Sequence, residues 1–196
     1  MERPEHGHDP NLTPPAPGDL ELVRSFLSLH EHAGDRLLSL PPSPRTVEWW
    51  FRSNELIGDH EPAAEDDVAW AISVQDDLRE TVPRDHDGGR PADPNAPDRL
   101  SEAAREAGIE IRFGSGDSGF ESPAAGIRGA IGRLLGIAFL AQLDGSWSHL
   151  KTCGNGDCRS VFYDRSKNRS GRWCSMQTCG NRAKVRAFRE RSAAGP

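Results

Sequence analysis

Four cysteines near the C-terminus constrain this chain more than any other feature. Cys153, Cys158, Cys174 and Cys179 follow the pattern C-x4-C-x15-C-x4-C, two close pairs joined by a spacer of 15 residues. Such spacing is typical of a structural zinc site, in which four thiolates surround one tetrahedral ion. The residues between the first pair are turn formers that can bring both sulfurs to the same side. The sequence therefore predicts one structural Zn²⁺ with these four ligands.

Disulfides and unrelated buried thiols both fit the cysteine pattern less well than a metal site. Two disulfides would need an oxidising compartment, and the N-terminal segment MERPEHGHDPNLTPPAPG lacks the apolar run of a signal peptide. Four unrelated buried cysteines would be scattered, yet none occurs in the first 152 residues. Four thiolates also leave no open position for water or substrate, so we expect a metal that supports folding and not hydrolysis. The rest of the sequence has no Gly-rich phosphate loop, nucleophile elbow or paired metal-binding histidines, so we expect a protein that is not an enzyme.

Charge divides the chain into two unlike parts. From residue 150 to the end there are eleven Lys and Arg against three acidic residues, a net charge of +8, whereas the formal net charge of the whole chain is −6. The first 149 residues therefore carry −14. This asymmetry indicates either a basic module that binds a polyanion or a basic tail that merely balances an acidic domain.

Turn signals and apolar periodicity predict the organisation of the chain. We expect a disordered tail over 1–18, a mostly helical domain over 19–145, a zinc finger over 150–191 and a short tail over 192–196. Helices are predicted to begin at Asp19, near Ser43 and at about Pro62, and to cover 100–107 and 127–143. A loop is expected over 83–98, and a β-hairpin runs from Ile109 and returns through Phe120. The expected fold class is α+β: a mainly helical N-terminal domain with a small β-hairpin, followed by a small C-terminal treble-clef-like zinc finger.

The most apolar helix is not expected to span a membrane. The stretch 127–143 contains two arginines and three glycines, and it is shorter than the ~20 apolar residues that a bilayer requires. The three glycines favour close packing against a neighbouring element. We expect a soluble cytoplasmic protein, associated with the nucleoid if it binds DNA.

Within the finger, the β-prone run Val161-Phe162-Tyr163 is predicted to form a hairpin that returns at Arg172-Trp173. A helix is predicted from Ser175 to about Arg191. Trp173 is expected to plug the core of the finger, although a base-stacking role is the alternative.

These residues resemble a known family. The segment CGNGDCRSVFYDRSKNRSGRWCSMQTCGNRAK is similar to the CGNR zinc finger, whose tetrapeptide stands here at 179–182. Upstream, GDLELVRSFLSLHE, the helix around 49–57 and GSWSHLKTC look like the alpha/beta domain usually coupled to this finger. The chain departs from the family at Ser28-Leu29, where an Asn-Thr pair is usual.

The resemblance implies a stress-induced transcription regulator whose finger binds DNA. We expect the N-terminal domain to sense a small molecule or to form a homodimer. Arg and Lys of the finger would contact phosphates, and base-edge contacts would supply specificity. The candidate nucleic-acid-binding residues are Arg165, Lys167, Arg169, Arg172, Arg182, Lys184, Arg186 and Arg189. Asn181 and Arg182 could instead brace the zinc site, because they adjoin Cys179. RNA binding and a protein-interaction adaptor remain alternatives.

Overall fold

Six α-helices and three two-stranded antiparallel sheets make up the part of the chain that the computed structural model describes, residues 13–32, 39–83, 93–114 and 119–193. The helices are α1 (Leu20–Leu27), α2 (Pro44–Ser53), α3 (Glu65–Thr81), α4 (Ala96–Glu106), α5 (Gly126–Leu143) and α6 (Asn181–Ala193). The strands are β1 (Glu31–His32), β2 (Ser39–Leu40), β3 (Glu110–Arg112), β4 (Gly119–Glu121), β5 (Leu150–Thr152) and β6 (Val161–Tyr163), paired in that order. The predicted α+β class, mainly helical, with a C-terminal zinc-finger region, is confirmed.

Local signals mark most helix ends. The hydroxyl of Ser43 accepts a hydrogen bond from the Thr46 N–H at the start of α2, where Pro44 provides a preset backbone angle. Helix α3 begins three residues after Pro62. Helix α4 begins at Ala96, with a proline in its first turn, so the predicted loop over 83–98 is shorter than expected at its C-terminal side. Residues 84–92 of that loop lie outside the described part.

The core is built around three aromatic side chains from the first two helices. Phe26 lies 5.2 Å from Trp50 and 5.7 Å from Phe51, measured between ring centroids, and all three side chains are buried. Helices α3 and α5 complete this core through Leu78, Ile131 and other apolar residues. Trp50 is therefore part of the core.

Glycines in α5 admit neighbouring elements at close range, as predicted. A Cβ at Gly132 would lie 2.7 Å from the Cβ of Ser122, and one at Gly136 would lie 3.3 Å from the Cβ of Phe120. The segment between β3 and α5 can therefore pack directly on this helix. By length and composition alone α5 could cross a membrane, and half of it is buried within the protein, as in the core helix of a globular domain.

The hairpin of the finger pairs differently from the prediction. Val161–Tyr163 pairs with Leu150–Thr152, upstream of the first cysteine, and not with Arg172-Trp173. Leu150 and Val161 are both fully buried, so this pairing places apolar side chains in the core. The backbone of Arg172 is used elsewhere, because its carbonyl accepts the Gly154 N–H at 2.8 Å.

The finger's hairpin is joined to the first helix of the body. The Ser28 hydroxyl donates to the Val161 carbonyl at 2.8 Å and accepts the Val161 N–H at 3.0 Å. The guanidinium of Arg24, fully buried, donates to the same carbonyl at 3.2 Å. Ser28 and Arg24 thus supply hydrogen bonds to the backbone N–H and carbonyl of Val161, as a neighbouring strand would. Ser28 therefore contacts the finger directly.

Packing against the body also begins earlier in the chain than the predicted boundary at Asp19. Thr13 and Ala16 are buried, and the Thr13 hydroxyl accepts a hydrogen bond from Arg24 at 3.0 Å. The described end of the expected tail, residues 13–18, thus covers α1. Residues 1–12 and 194–196, which hold the rest of the predicted tails, lie outside the described part.

Candidate metal centre and adjoining basic groove

Two backbone turns bring the cysteines together. Cys153 follows β5, and Cys158 closes a turn in which its N–H donates to the Asn155 carbonyl at 2.8 Å. Cys174 precedes a π-helical turn, Met176–Gly180, that contains Cys179. Each close pair in the sequence therefore lies on one turn, as the spacing predicted.

The geometry of the four sulfurs fits a tetrahedral ion. The four Sγ atoms all lie within 4.8 Å of one another, with 3.8 Å between Cys158 and Cys174 and 3.7 Å between Cys174 and Cys179. Zinc–sulfur bonds of ~2.3 Å at tetrahedral angles place sulfurs about 3.8 Å apart. A disulfide would require about 2.05 Å, and all four cysteines are free. The four thiolates bind one structural Zn²⁺.

The four thiols change one another's pKa values. Hydrogen bonding with Cys153 lowers the pKa of Cys158, and it lowers the pKa of Cys179 to about 7. Hydrogen bonding with Cys158 raises the pKa of Cys153, and hydrogen bonding with Cys153 raises that of Cys174. Zinc binds all four groups as thiolates, so its binding releases the protons that remain on the thiols.

Asn155 connects the two halves of the site. Its buried side-chain amide lies 3.8 Å from the sulfur of Cys179 and donates towards it. An N–H directed at a ligating sulfur offsets part of its negative charge and fixes its orientation. The sequence identified this residue only as a turn former, because its contact with the second cysteine pair depends on the fold.

Trp173 packs between the two turns. A Cβ at Gly154 would lie 3.3 Å from the indole ring, and one at Gly180 would also lie 3.3 Å from it. These glycines leave the space that the half-buried ring occupies. This position supports the predicted role as a plug of the finger's core.

His149 is used for packing at a distance from the sulfur cluster. Its ring stacks on Tyr163 at 5.2 Å, and its Nδ1 lies 3.1 Å from the Asp164 carbonyl. The metal-ligating cluster found among the described residues contains the four cysteines alone. The arrangement is thus a closed thiolate site, which stabilises the fold.

A buried ion pair that the sequence did not predict holds the loop after β6. Lys151 Nζ lies 3.2 Å from an Asp164 carboxylate oxygen, with 2% and 3% of the two side chains exposed. The same carboxylate accepts the backbone N–H groups of Ser166 and Gly171, at 2.9 and 2.8 Å. No sequence pattern marks this pair, because a Lys and an Asp thirteen residues apart meet only through the β5–β6 register.

The candidate cations of this loop are exposed, but most have partners within the protein. Arg165 donates to the Pro15 carbonyl at 2.6 Å, and Arg169 donates to the Ser148 hydroxyl at 3.0 Å. The guanidinium of Arg172 lies 5.1 Å from the centroid of the Trp173 ring. Lys167 is exposed and makes no ion pair with the described residues.

Three of the four candidate cations of α6 line an open groove beside the cysteine turns. Arg182, Arg186 and Arg189 line this groove, which has a volume of about 830 Å³. These three residues, hereafter the arginine row, are exposed and make no ion pair with the described residues. Asp157 and Glu190 also line the groove. Lys184 is exposed on the same helix but does not line it.

The two residues after Gly180 have different surroundings. The side-chain amide of Asn181 donates to the Gln177 carbonyl at 3.1 Å, within the turn that holds Cys179. Arg182 makes no comparable bond to a described residue and faces the groove. The geometry therefore supports a bracing role for Asn181 and leaves Arg182 available to a ligand.

Comparison with known families gives one result for this region. The sequence model of the CGNR zinc finger matches residues 149–192, which include all four cysteines, the loop after β6 and nearly all of α6. No curated protein matches the chain.

Proposed function

We propose, from the premise that residues 149–192 are a CGNR zinc finger, that this protein binds DNA and regulates transcription. The zinc ion holds the cysteine turns and α6 of the finger in place, and the finger contacts the nucleic acid. The N-terminal domain senses a ligand or forms a dimer. The proposal includes no catalytic role, since four thiolates saturate a tetrahedral ion.

The arginine row is the observation that carries the proposal. Three guanidinium groups without ion-pair partners among the described residues line one groove, next to a metal site that fixes the start of their helix. Unpaired guanidinium groups bind phosphate oxygens through two parallel hydrogen bonds. Because α6 directly follows the turn that contains Cys179, zinc binding sets the direction of the row.

Acidic groups limit where a polyanion can lie. Asp157 and Glu190 in the groove lower its positive potential, and the body carries a large negative charge. A nucleic acid would therefore lie along α6, and the exposed loop 165–170 offers a further group of cations. Lys167 is suited to a second phosphate contact there.

The test measures the salt dependence of binding. Fluorescence anisotropy with zinc-loaded full-length protein and duplex DNA should show log affinity falling linearly with log salt, by about 0.9 per phosphate neutralised. Arg186→Ala and Lys184→Ala should each remove one phosphate contact, which lowers this slope by about 0.9, without loss of zinc. Arg105→Ala, an exposed arginine on α4, is the matched control and should leave the slope unchanged. Binding that does not respond to salt, or slopes equal among all four proteins, would contradict the proposal.

A protein-interaction adaptor is the second candidate, and a particular observation favours it. Met176, Val185 and Phe188 are 54%, 48% and 63% exposed, in the π turn and α6. Apolar side chains among cations are typical of helices that dock on acidic protein partners. Failure to bind duplex DNA and RNA even at low salt would favour this adaptor, whereas preference for RNA of the same sequence would favour RNA recognition.

A further inference from the structure

A second cavity lies in the body, away from the finger's cysteines. It has a volume of about 470 Å³ and lies between α3, α4, β4 and α5. That volume is in the range of small-molecule sites, which hold about 300–1,000 Å³. Four elements that are distant in sequence form its walls, so it is a feature of the folded body and not a surface loop.

The lining of this cavity is apolar and uncharged. Leucine, alanine, isoleucine and phenylalanine side chains supply most of the wall, and none of the described lining residues carries a charge. Phe120 and Phe139 form an edge-to-face pair at 5.5 Å, and Gly136 permits the close approach of Phe120 to α5. An aromatic pair of this kind suits a flat, apolar ligand.

The polar groups of the lining already have partners, with one exception. The Thr81 hydroxyl donates to the Leu78 carbonyl at 2.7 Å, and the Ser101 hydroxyl donates to the Pro97 carbonyl at 2.8 Å. Gln142 is exposed at the rim and makes no hydrogen bond with the described residues. A ligand would therefore meet apolar walls and one amide, and an ionised group entering the cavity would lose hydration without compensation.

We infer that this cavity binds an uncharged, apolar or aromatic small molecule. Phe120 and Phe139 contact its ring, and Gln142 offers one hydrogen bond at the opening. This inference names the ligand class for the sensing role within the proposed function, but binding in the cavity does not depend on nucleic acid.

The test compares two fluorescent probes that differ in charge. N-phenyl-1-naphthylamine is neutral, and 8-anilino-1-naphthalenesulfonate has a similar aromatic skeleton with a sulfonate. Titrated into zinc-loaded full-length protein without nucleic acid, the neutral probe should bind saturably at one site per chain. The sulfonate should bind at least about ten-fold more weakly. Equal affinity for the two probes would overturn the inference.

Variants locate the binding. Ala104→Phe places a ring inside the cavity and Ser101→Phe places one at its rim, so each should weaken binding of the neutral probe at least about ten-fold. Glu102→Phe, on the exposed side of the same helix, is the control and should bind normally. Unchanged binding of the neutral probe by both cavity variants would overturn the inference. A probe signal that disappears when the protein self-associates would also overturn it, because a second copy of the chain would then occupy the cavity. Because no nucleic acid is present, these outcomes are independent of the DNA-binding test.

Discussion

Lys151 and Asp164 show how one buried contact orders an exposed basic loop. Their ion pair lies at the base of the loop that carries Arg165, Lys167 and Arg169. Lys151 also donates to the Arg169 carbonyl, so the lysine holds the far side of the loop. Burial raises the pKa of Asp164, but hydrogen bonds from Ser166, Gly171 and Lys151 outweigh it and lower the pKa to about 2.

Replacing Asp164 should lower the free energy of unfolding. In Asp164→Asn the buried ammonium loses its counter-charge, and breaking a buried pair by removing one partner costs about 3–5 kcal/mol. Urea unfolding of the zinc-loaded protein at neutral pH should show this loss, whereas Asp157→Asn, at an exposed position, should change stability by less than about 0.5 kcal/mol.

The pKa of Asp164 also predicts how the free energies of unfolding of the wild type and Asp164→Asn differ with pH. The folded pKa of Asp164 is about 2, below the ordinary value of 3.8, so its stabilisation is present above that ordinary value and is lost as the pH falls through about 2. The difference between the wild type and Asp164→Asn should therefore stay constant between about pH 5 and pH 8. A difference that shrinks in this range would show that Asp164 does not pair with Lys151.

At the scale of elements, local features were predictable and strand partners were not. Ser43 with Pro44 marked the start of α2, and Gly108, with its positive φ, marked the stop after α4, because both signals act within a few residues. The partner of Val161–Tyr163 was predicted wrongly, since two flanking segments are both compatible with a short hairpin. Burial of Leu150 in a core formed by distant helices decides between them.

The same contrast holds for the site. The four cysteines could be identified because the ligands of structural zinc sites typically occur as two close pairs, and the structure brings them together. The contact between Asn155 and the second pair, and the buried ion pair below the loop, depend on side chains that meet only after folding. Strand β1 with β2, at two residues each, has too short a pattern to be predicted.

Zinc removal should affect the elements of the finger unequally. Strand β6 is held by Ser28, Arg24 and the core independently of the metal. The cysteine turns are held together by the metal, and α6 is largely exposed and follows the second turn, so both depend on it. Limited trypsin digestion after chelation should therefore cleave rapidly at Lys184 and slowly at Lys151. Zinc-repleted protein is the control and should resist cleavage at Lys184. Equal cleavage rates at the two lysines would show that the whole finger detaches when the metal is lost.

At the scale of the whole molecule, the body and the hairpin of the finger share one core. Leu150 and Val161 belong to the same apolar cluster as Phe26 and Phe51. Polar contacts add to this junction, since Arg79 donates to the Arg159 carbonyl at 2.5 Å and the Arg159 guanidinium pairs with Asp76 at 2.6 Å. A boundary placed between residues 145 and 150 therefore divides a continuous core, although the composition changes there.

The shared core predicts that the body and the hairpin unfold together when zinc is bound. Native-state hydrogen exchange should give amides of β5 and β6 the same opening free energy as those of α3, because exposing either requires separating the core. Ser28→Ala removes the hydroxyl that satisfies Val161 and should lower both values by about 1–3 kcal/mol. Ser25→Ala, three residues earlier in α1, is the matched control: the Ser25 hydroxyl donates to the Leu22 carbonyl at 3.0 Å, so both values should change little. Two results would contradict this prediction: opening free energies for β5 and β6 well below that of α3 in the wild type, or a Ser28→Ala effect on the opening free energy of β6 alone. Either result would make the body and the finger separate folding units, and a signal could not pass between them through this core.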